Sequence, residues 1–408
     1  MTTAATTSPA LTDDRQARRN ALLLAAAQAL YSSNSVIIIT TGGLIGSMLA
    51  PSPVWATVPV SAFVVGTATS TVPASLLMGR VGRRSGFLIG ALIGMLGAFF
   101  AAFAIYQRSF ALFCLATLIS GSYQAFGQYY RFAAADTASP SFRPRAIAWV
   151  MIGGIISAFI GPFVVMGTRD LLAPVTFAGC YLASAMLAIL AMGVLAFLDI
   201  PLVRQGSHGG NARPLPEILK QPRLIVAIIA GMMSFGMMNF VMTSTPLAMV
   251  GCGFSFDAAA WVIQWHVLAM YVPSFFTGRL ISRFGAPLIV AAGMVLLAGA
   301  GVAGLTGISF GHFSAALILL GIGWNFGFVG ATTMVTDCYQ TSERSKVQAV
   351  NDFAVFTTVA LSSLSSGQLL SLFGWEAVTL SLFPMVGLVL VLLAWLWFSN
   401  HRRIAVEP

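Results

Sequence analysis

Long apolar stretches separated by short polar segments run along the whole chain. Twelve of them are at least about 20 residues long, the first at 21–49 and the last at 375–398. A helix of that length crosses the roughly 30 Å hydrocarbon core of a bilayer, and only helices or closed barrels satisfy their backbone hydrogen bonds there. The pattern therefore predicts an all-α membrane protein with twelve transmembrane helices.

Composition supports the membrane prediction. Hydrophobic residues make up 58% of the 408 residues and charged residues only 8%, whereas soluble domains carry about 25% charged residues. The predicted surroundings are therefore a lipid bilayer. The four cysteines, Cys114, Cys180, Cys252 and Cys338, form no cluster typical of zinc sites or disulfide frameworks. No prosthetic group is expected, and a transporter is favoured over an enzyme.

The basic residues orient the chain in the membrane. If the N-terminus lies inside, all but two of the 21 lysines and arginines fall on the inner side, and only Arg108 and Arg169 fall on outer loops. Inner loops of membrane proteins carry this excess of positive charge. Both termini are therefore predicted to be cytoplasmic. The same distribution explains the net charge of +9 without a nucleic-acid partner.

The only long polar segment, 199–223, divides the chain into similar halves. A cytoplasmic tail (1–20) precedes the first six-helix half (21–198), and the second half (224–398) ends in another cytoplasmic tail (399–408). Related features recur at a steady offset: segment 79–82 recurs at 282–285, and Asp136 recurs as Asp337. This indicates a duplicated unit, as in transporters whose halves rock around a midplane site.

The loop after the second span carries a family signature. SLLMGRVGRR (75–84) resembles the G-x-x-x-D-R-x-G-R-R loop of the major facilitator superfamily, with Gly79 in place of its acidic residue and Ser75 in place of its first glycine. GRLISRFG (278–285) is a weaker copy in the second half. The resemblance implies the major facilitator fold, with two pseudo-symmetric six-helix halves in a monomer.

Charges beside these loops form a candidate inner gate. Asp136 is expected to pair with the 80–84 arginines, and Asp337 with Arg283 or Arg344. The alternative is that these charges only set topology and end helices. The predicted gate residues are Arg80, Arg83, Arg84, Asp136, Arg283 and Asp337.

Two helical pairs of soft side chains lie at one depth. GMMSFGMMNFVM (231–242) contains Met233 and Met237, and the next span contains His266 and Met270, each pair four residues apart. Both pairs fall roughly 14–21 Å from the inner helix ends, near the bilayer middle. If the faces meet, three thioethers and one imidazole form a site suited to Cu(I). The alternatives are methionine packing and a histidine bonded to a backbone carbonyl or to Gln264.

These motifs resemble those of the CcoA-like copper importers of bacteria. The resemblance implies a secondary transporter that imports copper, in the Cu(I) state, across the bacterial inner membrane by alternating access and supplies assembly of cbb3-type cytochrome c oxidase. Copper is then the transported substrate, and its ligands are Met233, Met237, His266 and Met270. A periplasmic donor and a cytoplasmic acceptor chaperone are the implied partners. Cys252, on an outer loop, either helps to capture copper or is an incidental loop residue.

A second function stays open beside copper import. The same family is close to proteins proposed to carry riboflavin, and spans that line facilitator cavities contain polar and aromatic groups able to bond and stack on a flat organic solute. The alternative for these groups is hydrogen bonding between helices. Copper import is the main prediction and riboflavin import the second. The candidate cavity residues are Asn34, Tyr123, Gln124, Gln128, Trp324 and Asn325.

Overall fold

The structure is a computed structural model that describes residues 14–139, 142–200, 213–340 and 343–404. Most of the predicted N-terminal tail, about half of the predicted linker and the end of the C-terminal tail lie outside these residues. The helices are α1 (Arg15–Leu49), α2 (Val58–Val81), α3 (Arg83–Tyr106), α4 (Phe110–Gly127), α5 (Tyr130–Asp136), α6 (Arg143–Thr168), α7 (Ala178–Leu195), α8 (Leu215–Leu219), α9 (Pro222–Gly251), α10 (Phe256–Tyr271), α11 (Ser274–Phe284), α12 (Ala286–Leu305), α13 (Phe310–Thr336), α14 (Arg344–Leu380) and α15 (Leu382–Ile404).

The helices account for twelve membrane crossings. Ten helical segments of the described residues are long and apolar enough to cross, and α10 with α11 makes an eleventh, bent by 41°. One of the ten, Lys346–Ser399, has 54 residues, which would be about 80 Å as one straight helix and far too long for one crossing. Gly374, with φ of 78°, interrupts it. It therefore makes two crossings, as predicted.

The two halves repeat one packing scheme. In the first half α1 packs on α6, and α3 packs on α4 and α7. In the second half α9 packs on α14, and α12 packs on α13 and α15. These are the same pairs after a shift of six crossings, so the described helices form two pseudo-symmetric bundles.

Two glycines let α2 and α4 cross at backbone contact. A Cβ on Gly66 would lie 2.0 Å from the Leu118 carbonyl oxygen, and a Cβ on Gly121 would lie 2.1 Å from the Phe63 carbonyl oxygen. Small residues allow such approach where helices pack without a hydrophobic driving force between them. The crossing fixes the position of α4, including Gln124 one turn beyond Gly121.

The halves meet at their outer ends. The Thr57 hydroxyl, before α2, donates to the Leu364 carbonyl of α14 at 3.4 Å. Arg169, after α6, pairs with Asp257 of α10 at 2.8 Å. Phe177 and Phe256 pack edge to face, with ring centroids 5.3 Å apart. The outer entrance between the halves is therefore closed.

Salt bridges also lie at the inner ends of the described helices. Arg83 pairs with Asp136 at 3.2 Å in the first half. Arg213 of the linker pairs with Glu343 of the second half at 2.8 Å, and this hydrogen bond lowers the pKa of Glu343 to about 2. Because folding lowers the pKa of Glu343 from 4.5, its pairing with Arg213 stabilises the folded protein fully above pH 4.5. This stabilisation is lost only as the pH falls toward 2. Among the described residues, a salt bridge between the halves lies at the outer side, between Arg169 and Asp257.

Candidate functional site

Four aromatic rings form one cluster in the second half. Phe235 of α9 lies 5.5 Å from Trp324 and 5.1 Å from Phe328 of α13, and 6.1 Å from Phe356 of α14, between ring centroids. Trp324 and Phe328 are stacked, with an interplanar angle of 11°. The three phenylalanines are partly exposed. We call Phe235, Trp324, Phe328 and Phe356 the aromatic wall.

The aromatic wall faces the first half. Phe235 and Phe328 pack against a buried cluster that contains Ile37 of α1 together with Val359 of α14. Because that cluster joins the two halves, the rings lie beside the interface at which the halves meet. This is where a facilitator binds its solute.

Trp324 keeps an unused hydrogen-bond donor. The residue is 9% exposed, and its buried Nε1 has no hydrogen-bond partner among the described residues. Buried donors are nearly always paired, so an unpaired one calls for an explanation. Because this nitrogen is buried in the present state, a carbonyl or ring nitrogen of a solute can reach it only after the side chains that cover it move.

Polar side chains line the facing helices of the first half. On α1, Gln28 donates to the Ser32 hydroxyl at 2.9 Å, and Ser35 one turn further donates to the Gln124 side chain of α4. Gln128 follows Gln124 by one turn, and both are partly exposed. We call Gln28, Ser32, Ser35, Gln124 and Gln128 the polar wall.

The six predicted cavity residues fall into two groups. Trp324 lies in the aromatic wall, and Gln124 and Gln128 lie in the polar wall. Of the other three, Asn34 and Asn325 form hydrogen bonds between helices, which is the alternative that the sequence left open. Tyr123 packs between helices, and its hydroxyl has no hydrogen-bond partner among the described residues. Asn34 accepts a hydrogen bond from Ser184 of α7, and Tyr123 is buried against other tyrosines of the first half.

Asn325 holds the bend between α10 and α11. Its amide donates to the Met270 carbonyl at 2.8 Å and to the Ser274 hydroxyl at 2.7 Å. Its oxygen accepts from the Thr277 hydroxyl at 2.6 Å. These bonds satisfy polar groups where the helix is broken. The geometry therefore gives Asn325 a structural position next to the site.

Sequence reasoning missed the three phenylalanines of the aromatic wall. The chain contains 30 phenylalanines, so a single one carries no signal. The spacing of Trp324 and Phe328, four residues apart on a cavity-lining span, was the available clue. Phe235 lies inside the methionine-rich segment 231–242, where the methionines are the stronger signal.

Three of the four predicted copper ligands, the methionines, belong to or pack against the buried cluster of the second half that also contains Trp324. The His266 Nδ1 donates to the Leu317 carbonyl of α13 at 2.7 Å, which is the backbone bond weighed as an alternative. Its Nε2 is buried and lacks a partner among the described residues. Met237 and Met270 are buried in the apolar core of the second half, and Met233 packs against that core. Metal binding by these side chains stays a prediction.

Cys252 is exposed on the outer loop between α9 and α10, with a free thiol. The part of the chain that the structure describes contains no group of three or more histidine, cysteine, aspartate or glutamate side chains placed to hold a metal ion. A metal function for Cys252 stays a prediction as well.

The predicted inner-gate residues are only partly connected. Arg83 pairs with Asp136 and lies over the Tyr129 ring at 5.7 Å. Asp337 pairs with Arg223 at 2.6 Å, and not with Arg283, which lies over the neighbouring Phe284 ring. Arg80 and Arg84 are exposed. A gating function for these charges stays a prediction.

Arg169 is the centre of the outer closure. Its guanidinium binds Asp170 and Asp257, each at 2.8 Å, and lies over the Phe256 ring at 5.5 Å. Exposed ion pairs contribute about 0–1 kcal/mol. Such a pair biases a conformational equilibrium without determining whether the chain folds.

Reversing one charge of this pair is expected to slow transport. In Asp257→Arg, two arginines repel each other in the closed state, and transport should slow about two- to five-fold, as expected from about 1 kcal/mol or less. The double variant Arg169→Asp, Asp257→Arg restores the pair and should regain most of the rate. Initial transport rates at equal membrane content measure this effect. A double variant as slow as the single one would show that the pair does not act in closure.

Comparison with known proteins identifies the class of this chain. The model of the family described as the Major Facilitator Superfamily matches residues 22–265 and 252–407, so the chain belongs to that family. Its fold agrees: the crystal structure of the nucleoside transporter NupG superposes with a TM-score of 0.70 at 15% identity, covering 93% of this chain and 97% of NupG.

Two relatives are more similar in sequence. The riboflavin transporter RfnT of Brucella anthropi is 50% identical over 352 residues, which is 86% of this chain and 88% of RfnT. The uncharacterised transporter YdeG of Bacillus subtilis is 30% identical over 347 residues, 81% of this chain and 80% of YdeG. The chain is thus a multi-pass membrane transporter and not an enzyme.

Copper import, the main prediction, is wrong. A relative that is 50% identical over 352 residues is named for riboflavin, which supports the second prediction. The helical spacing of Met233, Met237, His266 and Met270 had suggested a shared face. In the structure His266 bonds to the backbone of α13, and Met237 lies in the apolar core.

Proposed function

We propose that this protein carries riboflavin, or a closely similar flat organic solute, across the bacterial inner membrane, with both termini in the cytoplasm. The observation that carries the proposal is the 50% identity to the riboflavin transporter RfnT over 86% of this chain. Riboflavin combines a flat three-ring system with a chain of hydroxyl groups. A site for it needs an apolar, aromatic surface and a set of hydrogen-bonding groups.

The two walls offer both surfaces. A flat ring system stacks on the rings of the aromatic wall, as nucleic-acid bases stack on aromatic side chains with about 1–3 kcal/mol per base. The free indole N–H of Trp324 suits a carbonyl or nitrogen at the ring edge. Ligand sites have this character: mostly apolar, with a few placed polar groups that fix orientation.

The conformation supports a step of alternating access. The outer ends are joined by the Arg169–Asp257 pair and by Phe177 packing on Phe256. The halves 21–198 and 224–398 act as the rocking units, and the present state is closed toward the outside. Opening that side requires these outer contacts to separate, and this would admit the solute to the two walls.

Uptake by cells tests the proposal. A bacterium that neither makes riboflavin nor has its own transporter for it is given this chain, and accumulation of labelled riboflavin is measured. Growth on low external riboflavin and saturable uptake are expected. The same cells with an empty vector are the control. Absence of uptake, with the chain present in the membrane at normal amounts, would overturn the proposal.

A further inference from the structure

Polar side chains of the first half occupy single helical faces. On α1, Gln28, Ser32 and Ser35 are spaced by four and three residues, and Gln124 and Gln128 are spaced by four. The Ser35–Gln124 bond joins the two faces. Partly exposed amides would be costly against lipid tails, where nothing pairs with them. The joined faces therefore border the space between the halves.

Gln124 and Gln128 have hydrogen-bonding capacity left over. The Gln124 oxygen accepts from Ser35, while its NH₂ group has two donors that bond to no side chain or backbone group of the described residues. The Gln128 side chain makes no recorded bond within the described ranges, so its oxygen and both donors are free. Partial exposure leaves these groups open to a solute.

The polar and aromatic walls lie on opposite sides of the interface. The polar wall belongs to α1 and α4 of the first half, and the aromatic wall to α9, α13 and α14 of the second half. Ile37 of α1 and Val359 of α14 belong to one buried cluster, against which Phe235 packs. A solute between the halves therefore meets rings on one side and amides on the other.

We propose that Gln124 and Gln128 bind the hydroxylated chain of the solute while the aromatic wall holds its ring, so that these two glutamines set the preference for riboflavin over a ring without that chain. The inference rests on the proposed function and adds the orientation of the solute and the source of its selectivity. Hydroxyl groups suit glutamine because each hydroxyl donates and accepts, as the amide group does.

The exposure of the two glutamines sets the size of the preference for riboflavin over a ring without the hydroxylated chain. A fully buried polar site rejects a ligand that leaves its groups unpaired by very large factors. Gln124 and Gln128 are only partly buried, so water replaces a missing hydroxyl. Each lost hydrogen bond then weakens binding about five- to ten-fold.

Competition with lumiflavin tests the assignment, because lumiflavin has the same ring with a methyl group in place of the hydroxylated chain. Inhibition of labelled riboflavin uptake by unlabelled riboflavin and by lumiflavin is compared. In the unaltered protein, lumiflavin should need at least a ten-fold higher concentration. In the double variant Gln124→Leu, Gln128→Leu, the concentration of unlabelled riboflavin that halves uptake should rise about ten-fold or more. The concentration of lumiflavin that halves uptake should stay unchanged.

Two further variants separate an effect on binding from a general effect of the substitutions. Gln128→Ala alone removes a side chain without a recorded partner, so folding should be unaffected, and the preference should fall about five-fold. Gln107→Leu, at an exposed outer position, is the matched control. It should change neither the riboflavin nor the lumiflavin concentration that halves uptake.

Three results would overturn the assignment. The first is equal inhibition by both flavins in the unaltered protein. The second is an equal rise, in the glutamine variants, of the riboflavin and lumiflavin concentrations that halve uptake. The third is an unchanged preference for riboflavin over lumiflavin in those variants. Failure of the proposed function looks different, because the unaltered protein would then take up no labelled riboflavin although it is present in the membrane.

Discussion

Replacing Trp324 with alanine is expected to lower the apparent affinity of transport for riboflavin about 5- to 150-fold. The substitution removes one stacking surface, worth about 1–3 kcal/mol for a flat ring, and 1.4 kcal/mol corresponds to a factor of ten. It also removes the support of Phe328, which is stacked on Trp324, and the unpaired indole donor. The concentration dependence of uptake in cells measures the change.

Two variants show whether the loss belongs to the site. Trp395→Ala removes a tryptophan that is 52% exposed on α15 and should leave uptake unchanged. Trp324→Phe keeps a ring and removes the donor, so it should fall between alanine and the unaltered protein. An apparent affinity in Trp324→Ala equal to that in Trp395→Ala would remove Trp324 from the binding site.

Replacing Gly121 with leucine is expected to prevent correct folding. The new Cβ would lie 2.1 Å from the Phe63 carbonyl oxygen and 2.8 Å from the Thr67 nitrogen. Both are backbone atoms of α2, so relief requires the helices to separate. Overpacking of well-packed cores costs about 1–3 kcal/mol when side chains can shift, and a clash with backbone should cost more. The separation would also displace Gln124, one turn away on α4.

The yield of folded protein measures this effect. Detergent extracts of cells with the fluorescently tagged chain are compared by size-exclusion chromatography, and Gly121→Leu should lose most of the monodisperse peak. Gly193→Leu is the matched control, because a Cβ at that position of α7 meets no atom within 4 Å. Equal peaks for both variants would show that α2 and α4 tolerate separation.

The fold could be predicted from the sequence because bilayer physics restricts it so strongly. Spans of about 20 apolar residues, the placement of arginines and the repeated loop at 79–82 and 282–285 each depend on local composition. The family comparison and the packing of the described helices confirm the prediction. The bend after α10 falls at Pro273, and proline interrupts helices, so the sequence carries a local signal for it. The Asn325 contacts that satisfy the broken helix come from a distant helix and have no local signal.

The site was only partly predictable because sequence spacing fixes the depth of a residue better than the neighbour it faces. Met233 and His266 do have the spacing and depth for a shared site, but α10 directs His266 toward the Leu317 carbonyl of α13. Trp324 and Gln124 were found because they carry hydrogen-bonding groups on spans that line facilitator cavities. Phe235 and Phe356 were not, since their positions in the aromatic wall arise only when three helices come together.

Direct titration of the purified protein with riboflavin tests the central claim most closely. A flavin ring stacked on an indole loses fluorescence, so binding at the aromatic wall can be followed from the ligand itself. We expect saturable quenching that is strongly reduced in Trp324→Ala and retained in Trp395→Ala. The absence of saturable quenching in the folded, unaltered protein, or equal quenching in both variants, would contradict a riboflavin site at the aromatic wall.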